Sequence, residues 1–212
     1  MAVVWSIVVA GGSGQRFGQP KQFTLLGGRP VVSHSVAACA AWSDGTVLVL
    51  PAGTDQTFGA DIVVEGGTTR SDSVRHGLRM VPEEAEVIVV HDAARPLAGA
   101  ELFKAVLAAV ADGADGAVPG LPVRDTIKQV DGNGLVLSTL DRATLVAVQT
   151  PQAFRADALR RAHADEGSAT DDAALVEASG GAVSVVPGDE RNLKITTPED
   201  LRSAEGMMGA RG

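Results

Sequence analysis

A chain of 212 residues with 45% apolar but only 3% aromatic side chains is long enough for one sizeable α/β core and poor in surfaces for stacking nucleic-acid bases. Its net charge of −8 repels polyanions, so any phosphate it holds must meet a local cluster of Arg, Lys and backbone N–H groups. That points to a small ligand and argues against nucleic acid or a membrane as partner.

In chain order, short Val/Ile runs alternate with longer Ala/Leu-rich stretches of helical spacing. The spacing predicts strands at Val3 to Ala10, Thr46 to Leu50, Ile62 to Glu65, Val87 to His91, Ala117 to Pro119, Leu145 to Gln149 and Ala182 to Pro187. Helices are predicted at Val31 to Ala41, Ser71 to Met80, Ala100 to Ala111, Arg155 to Ala164, Thr170 to Ser179 and Pro198 to Met207, the last capped by Thr197 ahead of Pro198. The expected fold is α/β: a Rossmann-like three-layer sandwich with a mostly parallel sheet, in a single domain over residues 1–212. One segment breaks the rhythm. Between Val123 and Leu140 two β-prone runs flank Asp131-Gly132-Asn133-Gly134, a hairpin signal. A two-stranded arm at about 123–142 is marginal alone, so it is expected to pack on a partner subunit, with folding back on its own domain as the plainer alternative.

Cys39 is the only cysteine, which excludes an internal disulfide and a Cys-rich metal motif; its small apolar neighbours mark it as helix packing. Met1 to Ala10 is too short to span a bilayer, and Gly-Gly-Ser-Gly makes no convincing cleavage site, so a cytoplasmic location is expected. Little chain follows the final helix, and no fused second enzyme is expected.

The strongest chemical signal is Ala10-Gly11-Gly12-Ser13-Gly14-Gln15-Arg16, followed by Gln19-Pro20-Lys21-Gln22, directly after the first strand. Glycines let the backbone approach a polyphosphate, and Arg16 and Lys21 add charge-assisted contacts to the same oxygens. A dinucleotide fingerprint would need a third glycine where Phe17 stands and an acid at the end of the second strand, which reads Leu50-Pro51. A Walker A loop would need a Gly-Lys-Ser/Thr continuation, which none of these glycines has.

A Gly-rich loop with Arg, then Pro-Lys-Gln, resembles the signature of sugar-phosphate nucleotidyltransferases. His91-Asp92-Ala93-Ala94-Arg95-Pro96, Val123-Arg124-Asp125-Thr126-Ile127-Lys128, Gln149-Thr150-Pro151-Gln152, Thr170-Asp171-Asp172 and Leu193-Lys194-Ile195-Thr196 resemble, in order, the motifs of the 2-C-methyl-D-erythritol 4-phosphate cytidylyltransferase family. The resemblance covers nearly the whole chain, and ribitol-5-phosphate cytidylyltransferases share many of these motifs. It implies transfer of the cytidylyl group of CTP to 2-C-methyl-D-erythritol 4-phosphate, giving CDP-methylerythritol and pyrophosphate in non-mevalonate isoprenoid synthesis, with ribitol 5-phosphate as the alternative acceptor, Mg²⁺ as cofactor and a homodimer formed through the arm. It also implies roles: Arg16, Lys21 and Lys194 in catalysis; Ala10, Gly11, Gly12, Ser13, Gly14, Gly67, Ser73, Asp92 and Arg95 at the nucleotide; Thr126, Arg142, Thr150 and Thr170 at the acceptor; and Asp92 at the metal.

The residues carry physical readings of their own. Asp92 follows a strand at the carboxyl edge of the sheet, where a carboxylate beside triphosphate suits Mg²⁺; the plainer alternative is an ion pair with Arg95. Gly66 to Ser73 joins a strand to a helix and either approaches the nucleotide through Gly67 and Ser73 or is a plain cap by Ser71 with Asp72 in the first turn. Lys194, between Leu193 and Ile195, reads as a lysine on a short strand, facing either phosphates or solvent. The four histidines have no metal-ligand spacing, and none is assigned to catalysis, since an ionised phosphate nucleophile needs alignment and charge neutralisation more than a general base. Arg191-Asn192, with Asp189 and Glu190 upstream, departs from the acid and amide that family members often carry before the lysine segment, leaving methylerythritol and ribitol phosphates both open as acceptor. A catalytically silent nucleotide-sugar-binding module is the alternative from another class, and it would be expected to lose the charged loop residues.

Overall fold

The computed structural model describes residues 2–11, 20–54, 56–164, 169 and 171–209. The chain begins with β1 (Val4–Val9), a two-residue pair β2 (Leu25–Leu26) and β3 (Arg29–Pro30), then α1 (Val31–Ala40), β4 (Gly45–Leu50), β5 (Ile62–Glu65), α2 (Arg70–Leu78), β6 (Val87–Asp92) and α3 (Ala100–Ala111). It continues through β7 (Gly116–Pro122), β8 (Lys128–Val130), β9 (Val136–Thr139), β10 (Val146–Val148), β11 (Gln152–Arg155), α4 (Ala156–Ala162), α5 (Asp172–Ala178), β12 (Val183–Pro187) and α6 (Pro198–Gly209). Each of the seven strands and six helices predicted in chain order is present, with ends moved by a few residues, whereas the short strand read around Lys194 is not formed.

Eight strands form one sheet in the order β10-β7-β11-β6-β1-β4-β5, with β12 paired to β7. β1 runs parallel to β4 and β6, β4 parallel to β5, and β12 parallel to β7. The exceptions are β10, antiparallel to β7, and β11, antiparallel to both β6 and β7; the sequence reading missed β11 by starting a helix at Arg155. The reason is Pro151. It divides a single antiparallel run along β7 into β10, with Val148 opposite Gly120, and β11, with Ala153 opposite Ala117; the Thr150–Pro151 peptide is cis.

Because strand side chains alternate, neighbouring residues feed opposite cores. Ile7, Val49, Ile88, Val90 and Phe154 pack with Val74, Leu159 and Val176 of α2, α4 and α5. Val8, Leu48, Leu50, Val89 and Ala153 pack with Val36, Cys39, Phe103 and Val106 of α1 and α3. The result is three layers, helix, sheet and helix. Cys39 belongs to this packing: it is fully buried, and burial pushes its thiol up to about 12. A third cluster holds α6 through Ala204 against Leu26, Val31, Leu97 and Ile195. Thr197 caps α6 as predicted, its hydroxyl accepting from the Asp200 N–H while Asp200 Oδ2 accepts from the Thr197 N–H at 2.8 Å.

The predicted arm is the separate antiparallel pair β8-β9, in which Lys128 faces Thr139 and Gln129 faces Ser138. Asp131 Oδ1 accepts from the N–H groups of Asn133 and Leu135, and Gly134 takes φ +83°, closing the turn. Val130, Leu135, Val136, Leu137 and Leu140 stand exposed on it.

Candidate active site

Parallel strands β1 and β6 end in register, Val9 beside Asp92, and a cavity of about 490 Å³ opens beyond them. Ligands in open α/β sheets bind at this edge, because the strand ends leave a crevice where connections diverge. Ala10, Gly11, Lys21 and Gln22 form one wall, Gly67 to Arg70 and Ser73 a second, and Asp92, Ala93, Ala94 and Lys194 complete it. The first wall is tied down by the buried Gln22, whose Nε2 donates to Ala10 O at 3.0 Å, and by the Ala10 N–H, which donates to Val49 O at 2.8 Å.

The second wall is set by the start of α2. Its cap is Thr69 and not Ser71: the Thr69 hydroxyl accepts from the Asp72 N–H at 3.0 Å, and Asp72 Oδ2 accepts from the Thr69 N–H at 3.0 Å. Ser71 is instead buried and bonded to the backbone of Ala169, ahead of α5. Arg75, Thr68 and Thr69 all donate to the Asp72 carboxylate, which titrates well below the usual range. Ser73 Oγ accepts from the Gly67 N–H at 3.1 Å and donates to Thr69 O at 2.9 Å, so it shapes the loop as well as lining the cavity. A Cβ on Gly67 would lie 2.2 Å from Asp72 Cβ, so only glycine lets the loop pass this close.

Three charged groups converge on the floor. Asp92, with its side chain 13% exposed, accepts from Arg70 Nε at 3.3 Å on Oδ1 and from Lys194 Nζ at 2.7 Å on Oδ2. Burial alone would raise its pKa, but the charges of Arg70 and Lys194 and the lysine's hydrogen bond outweigh burial and hold the carboxylate below its ordinary range. The alternative ion pair with Arg95 is not formed. Arg95 turns aside, its Nη1 donating to Asn192 O at 2.7 Å and its Nη2 to Val148 O at 3.4 Å. Arg70 continues inward, Nη1 donating to Asp172 Oδ2 at 2.7 Å.

Lys194 is not on a strand. Residues 193–196 carry no regular secondary structure and are held by the Ile195 N–H on Ala94 O at 2.8 Å, and Ile195 is buried while Lys194 reaches the cavity. Among the described residues a single backbone bond replaces the ladder that the Leu-Lys-Ile alternation suggested. Asn192, in the segment that departs from the family pattern, is buried, and its Nδ2 donates to Thr150 O at 2.8 Å.

A second cavity of about 230 Å³ adjoins the first and shares Arg70, Asp92 and Lys194 with it; Arg95, Gln149, Thr150 and Asp171 line the rest. Of the residues singled out from sequence, Ala10, Gly11, Lys21, Gly67, Ser73, Asp92 and Lys194 thus meet at the first cavity, and Arg95 and Thr150 at the second. Thr126 and Arg142 are exposed at the base of the arm and line neither cavity; Arg142 Nη1 donates to Arg124 O. Gly12, Ser13, Gly14, Arg16 and Thr170 lie outside the described residues. Arg70 was passed over in the sequence. The available signal was a cation in the first turn of a helix, where the helix dipole favours anions.

Among the described residues no group of three or more His, Cys, Asp or Glu is placed to hold a metal. Asp92 alone fits a hard divalent cation of the kind that takes one carboxylate and draws its other oxygens from substrate phosphates and water. Among the described residues each of its oxygens accepts from one cation and keeps a further lone pair for an ion or its water.

A cavity rimmed by lysine, arginine and one carboxylate at the carboxyl edge of a mostly parallel sheet suits an α/β enzyme that acts on phosphate groups. A family model for 2-C-methyl-D-erythritol 4-phosphate cytidylyltransferase matches residues 4–210, and the chain belongs to that family. It is 45% identical to the enzyme of that name from Frankia casuarinae, over 97% of this chain and 81% of that one. It is 44% identical to a bifunctional enzyme IspD/IspF from Rhodospirillum rubrum, spanning 59% of that longer protein. The crystal structure of the cytidylyltransferase from Thermus thermophilus superposes with a TM-score of 0.83 at 34% identity, covering 99% of this chain and all of the other.

Proposed function

We propose that the chain joins 2-C-methyl-D-erythritol 4-phosphate to CTP, with the nucleotide in the larger cavity and the acceptor phosphate in the smaller one. The observation that carries this arrangement is the sharing of Arg70, Asp92 and Lys194 by the two cavities, since transfer requires both substrates to meet at one charged seam. The acceptor's phosphate oxygen attacks the α-phosphorus, the bond from that phosphorus to the bridging oxygen of the β-phosphate breaks, and pyrophosphate leaves. No proton need be removed from an ionised phosphate. The obstacle is repulsion between two anions, which Lys21, Lys194 and Arg16 offset as charge builds on the way to the transition state. Asp92 is the residue to hold Mg²⁺, which when bound supplies further neutralisation of the triphosphate.

The names of the relatives favour methylerythritol phosphate over ribitol phosphate as acceptor. The protein acts as a cytoplasmic homodimer in which the arm, with Thr126 and Arg142 at its base, reaches a neighbouring subunit; Thr170 joins the acceptor site from its own chain. Pyrophosphate release from CTP and Mg²⁺ with each polyol phosphate tests the reading, and preference for the ribitol compound would overturn the choice of acceptor. Lys21→Ala should lower kcat by about 100-fold or more with a smaller change in the Michaelis constant for CTP. Normal turnover with only a raised constant would remove Lys21 from the transition state.

A further inference from the structure

The seam charges do not end at the cavity. Arg70 joins Asp92 on one side to Asp172 on the other, and Asp172, with its side chain 1% exposed, also accepts from His163 Nε2 at 3.0 Å. Asp92 ends a strand while Asp172 opens α5, so one guanidinium fork spans two elements far apart in the chain. A planar fork can hold two carboxylates at once; an ammonium is a point charge that serves one of them well. A cation in the first turn of α2 is opposed by the helix dipole, so the helix gains nothing from Arg70 for its own stability.

On the reading of the active site given above, we infer that Arg70 is a positioning residue: by clamping Asp92 to the buried Asp172–His163 pair, it holds the carboxylate still and shares its charge. Lys194, whose Nζ lies 2.7 Å from Oδ2, then shares the carboxylate with Arg70 and is held less tightly than it would be alone, so it can turn to the phosphates. Without Arg70, the oxygen Oδ1 loses its partner, the carboxylate turns freely, and Lys194 becomes the one cation on a largely buried anion. An ammonium drawn to Asp92 is an ammonium withdrawn from the transferring phosphoryl group. The loss falls on the transition state more than on CTP binding, because the triphosphate keeps its contacts with the glycine-rich segment and Lys21.

The test uses Arg70→Lys, Arg70→Gln and Asp172→Asn in the full chain. Each should lower kcat by about 10- to 100-fold while the Michaelis constant for CTP stays within about threefold. A purely structural role would lower the melting temperature and the folded fraction, leaving kcat per folded protein near the wild-type value, and that result would overturn the inference. Should Asp172→Asn fail to fold, the charge-conserving Arg70→Lys decides. A second readout is independent of turnover: the rate at which an amine-reactive ester labels Lys194, followed by mass spectrometry, should be slower in Arg70→Gln than in wild type. An unchanged labelling rate sinks the clamp even if the wild-type protein proves to transfer some other group. Inactive wild-type protein with slowed labelling in the variant would sink the proposed substrate and leave the clamp standing.

Discussion

His91 lies next to Asp92 in the chain but is sealed from the cavity. The Asp92 N–H donates to Thr150 Oγ1 at 3.0 Å, the Thr150 hydroxyl therefore donates to His91 Nδ1 at 3.0 Å, and the remaining ring N–H donates to Arg95 O at 3.2 Å. The ring is neutral in this arrangement, and burial moves its pKa down to about 4, against the raising effect of Asp92. The sign follows from linkage. As pH falls below the ordinary value near 6.5, the unfolded chain takes up a proton that the folded protein refuses until about pH 4, so stability declines across that window. Denaturant unfolding of metal-free protein should show about 2 kcal/mol less stability at pH 5 than at pH 7 from this group. A flat profile would mean that His91 is solvated or charged in the native state. The other histidines are likewise tied to the fold, His34 to Leu26 O, His76 to Glu65 O and His163 to Asp172.

At the scale of elements, the arm and the β10–β11 run show where local pattern suffices and where it fails. Asp131-Gly132-Asn133-Gly134 encodes its own turn through side-chain and backbone bonds within five residues, so the hairpin was legible. β11 was not, because Gln152 to Arg155 becomes a strand only by lying between β6 and β7, a long-range pairing that Pro151 masks. Lys194 was found as a residue, but its strand was not formed, since its neighbours offer one bond instead of a ladder. On the proposal that the arm packs on a second copy, Leu137, 59% exposed in this chain, becomes buried. Leu137→Asp should then give monomers in sedimentation with chain stability changed by less than about 0.5 kcal/mol. A wild-type protein that sediments as a monomer would show that the arm serves no second copy.

For the molecule as a whole, a net charge of −8 surrounds a cavity seam that gathers Lys21, Arg70, Arg95 and Lys194. On the proposed function, local cations inside an acidic body favour a small polyphosphate, because long polyanions meet repulsion outside the cavity. CTP at about 100 times its dissociation constant should add about 2.7 kcal/mol to stability, read as a raised melting temperature. If Asp92 and the triphosphate hold Mg²⁺ together, adding EDTA at the same CTP concentration should shrink that rise. An equal rise with and without divalent ion would remove the metal from Asp92.

The sequence by itself determined the alternation of strands and helices, the arm and the motifs that carry the family resemblance, because periodicity, turn chemistry and glycine spacing are local properties of the chain. Membership of the cytidylyltransferase family was also readable there, since its motifs recur in order over nearly the full length. Only the tertiary structure decided which charges meet. Asp92 could have paired with Arg95 three residues on, yet it pairs with Arg70 and Lys194, because strand register and the course of the chain after β12 bring those cations to its two oxygens. Arg70 draws its importance from contacts with β6 and α5 at once, and a sequence read along one dimension does not contain that meeting.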